Sequence, residues 1–168
     1  MTSAARTRDC SFDQDGRWFR FRAAAIILRD GWVLMARNDR DDYLYSVGGG
    51  VHHGETAEDA VRREVLEETG VPLEVDRLAF IHENFFTDSS SQSLAGKSCH
   101  ELTFYYLMRY DPRLTAVEHQ STTLDGVWER MEWVPLDGFG QDRLAYPTFF
   151  ATELARNGDC PRVIVTRE

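Results

Sequence analysis

The stretch between Gly48 and Pro72 constrains the fold of this chain more than any other part of the sequence. It begins with three consecutive glycines, which break regular structure and let the backbone approach a neighbour closely. Thr56 is a suitable N-cap, and apolar side chains then recur at helical spacing. Gly70 is a typical helix stop. The stretch therefore predicts a glycine loop, a helix over residues 56–69 with one buried face, and a second loop.

Strand-like segments lie on both sides of this helix, each rich in aromatic, β-branched or aliphatic residues. The predicted strands cover residues 18–28, 32–36, 43–47, 75–86, 100–110, 127–134 and 162–166. A second helix is predicted over 147–157, with Pro147 near its first position. Because helices and strands are mixed without regular β-α-β alternation, the predicted class is α/β of the α+β type. No linker divides the chain, so we expect one domain over residues 1–168 in which residues 1–16 are flexible.

Three glutamates on the predicted helix form a concentrated negative charge. Glu64, Glu67 and Glu68 lie at i, i+3 and i+4, so they span about 100° of one helix face. Like charges at this spacing repel and raise one another's proton affinity. A solvated acidic helix face is one interpretation. The other is a hard divalent cation that neutralises the carboxylates, since all-oxygen ligand sets suit Mg²⁺, Mn²⁺ or Ca²⁺.

The net charge bears on the partners that the chain can have. The chain has 28 Asp and Glu residues against 19 Lys and Arg, which gives a formal charge of −9. This balance disfavours nucleic acids and anionic membrane surfaces, which need a basic footprint. Residues 49–71 contain six acidic residues and two arginines, so −4 of the −9 lies in this segment. Bound cations would cancel that charge, and a small anionic ligand therefore remains compatible with the composition.

The cysteines and the apolar runs indicate an ordinary intracellular protein. The three cysteines, Cys10, Cys99 and Cys160, form no CxxC pair, which disfavours a disulfide framework or a zinc site. The longest aliphatic run is far shorter than the ~20 residues that span a bilayer. The N-terminal residues lack the apolar core of a secretory signal. We therefore expect a cytoplasmic protein that binds neither membranes nor nucleic acids.

The residues from Gly49 to Val71 resemble the Nudix box, Gly-x5-Glu-x7-Arg-Glu-U-x-Glu-Glu-x-Gly-U, in which U is a bulky aliphatic residue. Every specified position matches, and the matching residues are Gly49, Glu55, Arg63, Glu64, Val65, Glu67, Glu68, Gly70 and Val71. Two unspecified positions depart from frequent family choices: Val47 stands where proline is common, and His52 where glutamate is common. The surrounding strand pattern extends the resemblance over roughly residues 18–157.

The resemblance to the Nudix family implies a fold and an activity. The implied fold is a mixed β-sheet sandwiched between helices, with the box as a loop–helix–loop. The implied activity is hydrolysis of the diphosphate linkage in a small-molecule nucleoside diphosphate derivative, with Mg²⁺ as the cofactor and Mn²⁺ as a second candidate. Family members are often homodimers, which makes a homodimer an option here. The alternative is a catalytically silent module of the same fold that senses a nucleotide.

The resemblance also implies roles for individual residues of the box. The implied metal ligands are Glu64, Glu67, Glu68 and the carbonyl oxygen of Gly49. The implied catalytic residues are Glu55, Arg63, Glu67 and Glu68. Among these, Glu55 and Arg63 would form a pair that orients the helix and its glutamates, and Glu67 or Glu68 would accept the proton of the attacking water.

Residues outside the box would supply substrate contacts and a further acid. Family members often recruit that acid from the loop before a strand with a tryptophan, here Trp133. The candidate acids are Asp125, Glu129, Glu101 and Glu118. The predicted substrate-binding residues are Phe85, Phe86, His100, Glu101 and Glu129, and Trp18, Tyr43 and Tyr45 are comparable candidates for stacking on a base. At such positions aromatic residues are more often part of the core and a lone histidine is more often structural, and the sequence leaves the substrate open.

Overall fold

Within the residues that the structure describes, the chain forms two β-sheets and one long helix. The computed structural model describes residues 8–87, 94–116, 120–122, 126–156 and 158–167. The strands are β1 (Ser11–Gln14), β2 (Arg17–Ile26), β3 (Leu28–Arg29), β4 (Trp32–Asn38), β5 (Leu44–Ser46), β6 (Gly48–Gly50), β7 (Val75–Thr87), β8 (Ser98–Met108), β9 (Gln120–Thr122), β10 (Trp128–Pro135), β11 (Ala145–Tyr146) and β12 (Arg162–Arg167). The helices are α1 (Ala57–Thr69), α2 (Phe150–Glu153) and a 3₁₀ helix at Pro112–Ala116.

Both sheets mix parallel and antiparallel neighbours. The first sheet has the order β1-β2-β8-β7-β12, and β6 also pairs with β2. In it β2 runs parallel to β8, β8 antiparallel to β7, and β7 parallel to β12. The second sheet has the order β11-β5-β4-β10-β9, and β3 also pairs with β4. The α+β class with a mixed sheet, predicted from the sequence, is confirmed.

Other elements pack on both faces of the first sheet, and alternate residues of its long strands contribute to the two sides. On the side that we call the helix face, Ala23, Ala25 and Tyr106 pack with the buried stripe of α1. On the opposite side, which we call the cleft face, Ala24 and Tyr105 pack with α2 and with apolar residues of the second sheet. Consecutive residues of a strand point to opposite faces. This rule decides which of the predicted site residues can meet.

Two local predictions do not match the structure. The helix predicted over 147–157 is reduced to Phe150–Glu153, since the residues before it form turns with i→i−3 hydrogen bonds, such as Phe150 N–H to Pro147 O at 3.1 Å. Asn157, its predicted end, lies outside the described residues. The predicted flexibility of residues 1–16 fails for Ser11–Gln14, because this segment pairs along its length with β2. No described helix has the length and apolarity needed to cross a membrane.

A buried histidine on the cleft face makes stability depend on pH. His82 is 4% exposed, its Nε2 lies 2.8 Å from the Thr166 hydroxyl oxygen, and burial lowers its pKa to about 4. The unfolded chain, with a histidine pKa of about 6.5, binds this proton more readily. The free energy of unfolding should therefore fall as the pH drops from about 6.5 to about 4, by at most about 3 kcal/mol from this group.

Urea unfolding of the parent and of His82→Gln at pH 7 and pH 4.5 measures this contribution. We expect the parent to lose more stability than the variant over this interval, because glutamine does not titrate. Equal losses in the two proteins would contradict the assignment.

Candidate active site

The helix α1 begins and ends where the sequence predicts. Its three glutamates range from buried to exposed. The Thr56 side chain accepts a hydrogen bond from the Asp59 N–H, and Gly70 ends the helix in the left-handed conformation with φ 70°. Glu68 lies in the buried stripe and is 6% exposed. The Glu67 side chain is 59% exposed. The three carboxylates therefore differ in environment although they share one side of the helix.

Arg63 connects the helix to the loop before it. Its guanidinium donates to both carboxylate oxygens of Glu55, at 2.9 and 3.0 Å, and to the Gly50 carbonyl at 3.0 Å. It also donates to Glu64 and lies 3.6 Å from Glu67. The hydrogen bonds from Arg63 lower the pKa of Glu55. Arg63 therefore links Glu55 and the Gly50 carbonyl of the loop to Glu64 of the helix, and its orienting role stays a prediction.

The three glycines form β6, which brings bare backbone against the carboxylates of α1. The Gly48 N–H donates to Glu68 Oε1 at 2.9 Å. A Cβ on Gly49 would lie 2.5 Å from the carboxyl carbon of Glu64. Pairing of β6 with β2 fixes this approach. A glycine is therefore required at position 49 by the placement of Glu64.

Gly49→Ala tests this close approach. The added Cβ would displace the flexible end of Glu64 rather than backbone, so we expect little loss of stability but a loss of turnover of about 100-fold, the effect of a misplacement near 1 Å. Gly50→Ala is the matched control, since its Cβ would displace only the carboxylate of Asp9, at 2.4 Å. Turnover rates and urea unfolding midpoints of both variants show whether Gly49→Ala loses turnover without losing stability. Parent-like turnover in Gly49→Ala would show that Glu64 placement is unimportant.

Glu68 is the most perturbed acid of the site. Burial is the main reason that its pKa is raised well above the ordinary value, and the nearby charge of Glu129 raises it further. Its Oε2 atom is buried and has no hydrogen-bond partner. An orphaned buried carboxylate oxygen is costly unless a proton or a cation satisfies it.

The oxygen ligands present are of the type that a hard divalent cation prefers, but the three carboxylates do not point to one common position. Three carboxylates and a nearby backbone carbonyl are the all-oxygen set that such cations prefer. Within the described residues, however, no three His, Cys, Asp or Glu side chains are grouped closely enough to hold a metal ion. Glu64 is directed to Arg63 and Glu68 to Gly48. The metal-ligand assignment therefore stays a prediction.

A further acid reaches the site from the second sheet. Glu129 lies on β10, accepts a hydrogen bond from the Tyr45 hydroxyl, and is close enough to raise the pKa of Glu68. Burial and this hydrogen bond raise the pKa of Tyr45. Of the other predicted acids, Asp125 and Glu118 lie outside the described residues.

A cleft of about 840 Å³ opens beside Gly48. Its lining combines cationic, aromatic and acidic side chains, chiefly Arg20, Arg22, Arg40, Asp41, Asp42, Tyr43, Tyr45, Phe86, Glu129 and Tyr146. The tyrosines form an edge-to-face group, in which the ring centroid of Tyr43 lies 6.1 Å from that of Tyr45 and 5.5 Å from that of Tyr146. The cleft can thus hold both a flat ring and an anionic group.

The predicted substrate-binding residues separate into two groups. Phe86 and Glu129 line the cleft. Glu101 lies beside it, bound to Arg20 Nε at 2.9 Å; burial alone would raise the pKa of Glu101, but Arg20 and Arg22 lower it. Phe85 and His100 stack on each other with ring centroids 4.3 Å apart and do not line the cleft. They point to the helix face because each is adjacent in its strand to a residue of the cleft face.

Arg22 belongs to the site although no motif in the sequence identifies it. This arginine is 7% exposed and donates to the Ser46 hydroxyl at 2.9 Å, the Ser46 carbonyl at 2.6 Å and the Gly48 carbonyl at 3.0 Å. It therefore holds the backbone that presents Gly48 to Glu68. The signal in the sequence that could have identified Arg22 is its position directly before the aliphatic run of a predicted strand, where a charged side chain needs a buried partner.

Comparisons with known proteins identify the family and the fold of this chain. The chain matches the NUDIX domain family over residues 19–151. A MutT-like protein from Streptomyces ambofaciens is 39% identical over 62 residues, which cover 36% of this chain and only 40% of that relative. The structure is similar to a MutT protein from Bacillus halodurans, with a TM-score of 0.60, 20% identity and 88% of each chain covered.

A second solved structure has higher identity. A MutT NUDIX hydrolase from Burkholderia pseudomallei gives a TM-score of 0.53 at 26% identity, covering 79% of this chain and 95% of that chain. The family match takes in the glycine strand, the helix α1 and strands of both sheets, and it leaves out β1 and β12. The chain therefore belongs to the NUDIX family.

Proposed function

We propose that this protein is a Mg²⁺-dependent hydrolase that cleaves the diphosphate linkage of a small nucleoside diphosphate derivative. The observation that carries the proposal is the buried, unpartnered Oε2 of Glu68 at the glycine strand. A carboxylate in this state is costly in a resting protein and useful in one that binds a cation. The complete Nudix box and the family membership support the same activity.

The residues of the box would divide the work of the site. Bound at Glu64, Glu67, Glu68 and the carbonyl of Gly49, Mg²⁺ would neutralise the diphosphate oxygens and make attack by water easier. Arg63 keeps Glu64 and Glu55 in place through its hydrogen bonds. Such fixed positioning is the main protein contribution to phosphoryl-transfer chemistry.

Proton transfer would fall to a carboxylate near the attacking water. The charge of Glu129 raises the pKa of Glu68, so the two carboxylates are close enough to share this task. Glu67 is a third candidate, because its exposed side chain reaches solvent beside Arg63.

The cleft beside Gly48 would bind the nucleoside part of the substrate. Its tyrosines and Phe86 offer faces on which a base can stack, and Arg20 and Arg40 offer positive charge to phosphate oxygens. Placing the base in this cleft would bring the diphosphate to Gly48 and the glutamates of α1.

A substrate panel tests the proposal. The purified chain is incubated with dNTPs, ADP-ribose, NADH, dinucleoside polyphosphates and nucleotide sugars, with Mg²⁺, Mn²⁺ or EDTA, and phosphate is measured after coupling to a phosphatase. We expect turnover of at least one class, and none with EDTA. Nanomolar binding of a nucleotide without turnover of any compound would instead favour the silent sensing module.

A further inference from the structure

A carboxylate behind the cleft holds one of its arginines in place. Arg20 Nε donates to Glu101 Oε2 at 2.9 Å, and Arg20 Nη2 donates to the same oxygen. The Thr103 hydroxyl donates to the other oxygen, Glu101 Oε1, at 3.2 Å. Arg20 lines the cleft, whereas Glu101 lies behind it with a side chain that is only 14% exposed. Both carboxylate oxygens therefore have partners, and the carboxylate fixes the position of the guanidinium.

An aromatic ring packs against the same guanidinium. The guanidinium carbon lies 5.3 Å from the centroid of the Trp18 ring, which meets the Phe86 ring edge to face at 6.3 Å. Phe86 lines the cleft together with Arg20. Within the described residues, the third nitrogen of Arg20, Nη1, donates to no protein atom. Its N–H groups are therefore available to a ligand in the cleft.

Arg20 differs in this respect from the other two arginines of the cleft. Arg22 is buried, and its described hydrogen bonds go to Ser46 and Gly48. The Arg40 side chain is exposed and makes no ion pair with any described residue. A donor that is already ordered loses less entropy on binding, so Arg20 is the arginine best prepared for an anion.

The charges around Arg20 favour a phosphate group as the ligand. Burial alone would raise the pKa of Glu101, but Arg20 and Arg22 lower it, so the carboxylate is ionised. The two guanidiniums and the one carboxylate therefore leave one positive charge in surplus. Guanidinium N–H groups bind phosphate oxygens through strong, charge-assisted hydrogen bonds.

The register of the first sheet separates Arg20 from the glycine strand. Gly48 pairs with Ala24, which is four residues from Arg20 on β2, so the two positions lie about 13 Å apart along the strand. Glu101 is the register partner of Arg20, so it holds the guanidinium across the strands and not toward Gly48. One diphosphate at Gly48 does not span this distance.

We propose that Arg20 binds a phosphate group of the substrate that is remote from the linkage cleaved at Gly48, and that Glu101 is the positioning residue of this site. The inference rests on the proposed function, because that function places the cleaved linkage at Gly48. It narrows the substrate to a nucleoside diphosphate derivative that carries a further phosphate. A compound that lacks this phosphate should bind less tightly.

Titration with inorganic pyrophosphate in EDTA tests the anion site without turnover. We expect the parent to bind pyrophosphate in calorimetry, and the Nε–H resonance of Arg20, identified by its loss in Arg20→Met, to shift during an NMR titration. Arg20→Met should weaken binding about 10-fold, the effect of losing a hydrogen bond to a charged group. Arg17→Met is the matched control, since Arg17 is an exposed arginine on the opposite face of the same strand. Its affinity should stay near that of the parent.

Variants of Glu101 distinguish positioning from simple charge. Glu101→Met removes a negative charge, so an electrostatic effect alone would tighten pyrophosphate binding. Positioning predicts the opposite sign, a loss approaching that of Arg20→Met, because the guanidinium is no longer held. Glu101→Gln keeps an acceptor and should be intermediate, and it also decides the sign if Glu101→Met does not fold. Glu83→Gln, an equal change of charge on the opposite face of the sheet, is the control.

Steady-state kinetics with a substrate found in the panel tests the remote position. Arg20→Met should raise KM about 10-fold and change kcat far less, because Arg20 does not contact the cleaved linkage. An equal loss in kcat would overturn the remote position. Pyrophosphate affinities that are the same in the parent and Arg20→Met, or tighter binding by Glu101→Met and Glu101→Gln, would overturn the inference and leave the proposed function standing. Arg20-dependent binding without turnover of any compound would instead overturn the proposed function and leave the anion site.

Discussion

Glu68→Gln is expected to lower turnover about 1,000-fold or more and to raise the free energy of unfolding. The variant loses a proposed cation ligand and proton acceptor at the centre of the site, and effects of this size are usual for such groups. Stability rises because glutamine removes a buried carboxylate whose Oε2 has no partner. The gain in metal-free buffer should be about 1 kcal/mol or more.

Turnover of a substrate found in the panel and urea unfolding in EDTA measure the two effects. Glu74→Gln is the control, since Glu74 is a surface acid that pairs with Arg62 outside the site. It should change neither quantity by a comparable amount. If Glu68→Gln turns over substrate at the parent rate, Glu68 has neither of its proposed roles.

Arg22→Met is expected to cost about 3 kcal/mol or more of stability and to lower turnover as well. The change removes the donor to the Ser46 and Gly48 carbonyls, and buried polar groups that lose a charged partner cost this much. The Gly48 N–H that binds Glu68 lies in the same backbone segment, so the remaining folded protein should hold Glu68 less well.

Urea unfolding and turnover at low temperature, where the variant remains folded, separate the two effects. Arg22→Lys should be intermediate, because an ammonium can reach one carbonyl but lacks the planar fork. Arg62→Met is the control, since Arg62 is an exposed arginine of α1 that binds only surface acids in the described contacts. A parent-like urea midpoint for Arg22→Met would mean that other groups satisfy these carbonyls.

The box could be predicted from the sequence because its parts are close in the chain. The cap at Thr56, the stop at Gly70 and the helical spacing between them determine α1 locally. The contact between Arg63 and Glu55 spans eight residues and lies within the same motif. Short-range geometry therefore predicts the helix and the Arg63–Glu55 pair, whereas the approach of the glycines to α1 also needs the pairing of β6 with β2.

The remainder of the site depends on pairings that no local pattern encodes. Tyr45 and Glu129 are 84 residues apart, and Arg22 is 24 residues from Ser46. The sequence predicts the same role for Phe85 and Phe86, because a strand pattern identifies two alternating faces but not what covers each face. The tertiary structure places Phe86 in the cleft and Phe85 on the helix face, stacked on His100.

The hydrogen bond between Tyr45 and Glu129 has a consequence for the order in which the proposed site assembles during folding. The helix α1 and the Arg63–Glu55 pair depend on near neighbours, whereas Glu129 reaches the site only after β10 has paired with β4. Pairing of residues that are distant in sequence is generally slow. A refolding chain would thus regain helical circular dichroism before it regains the proposed activity, and the delay between the two signals would report when β10 pairs with β4.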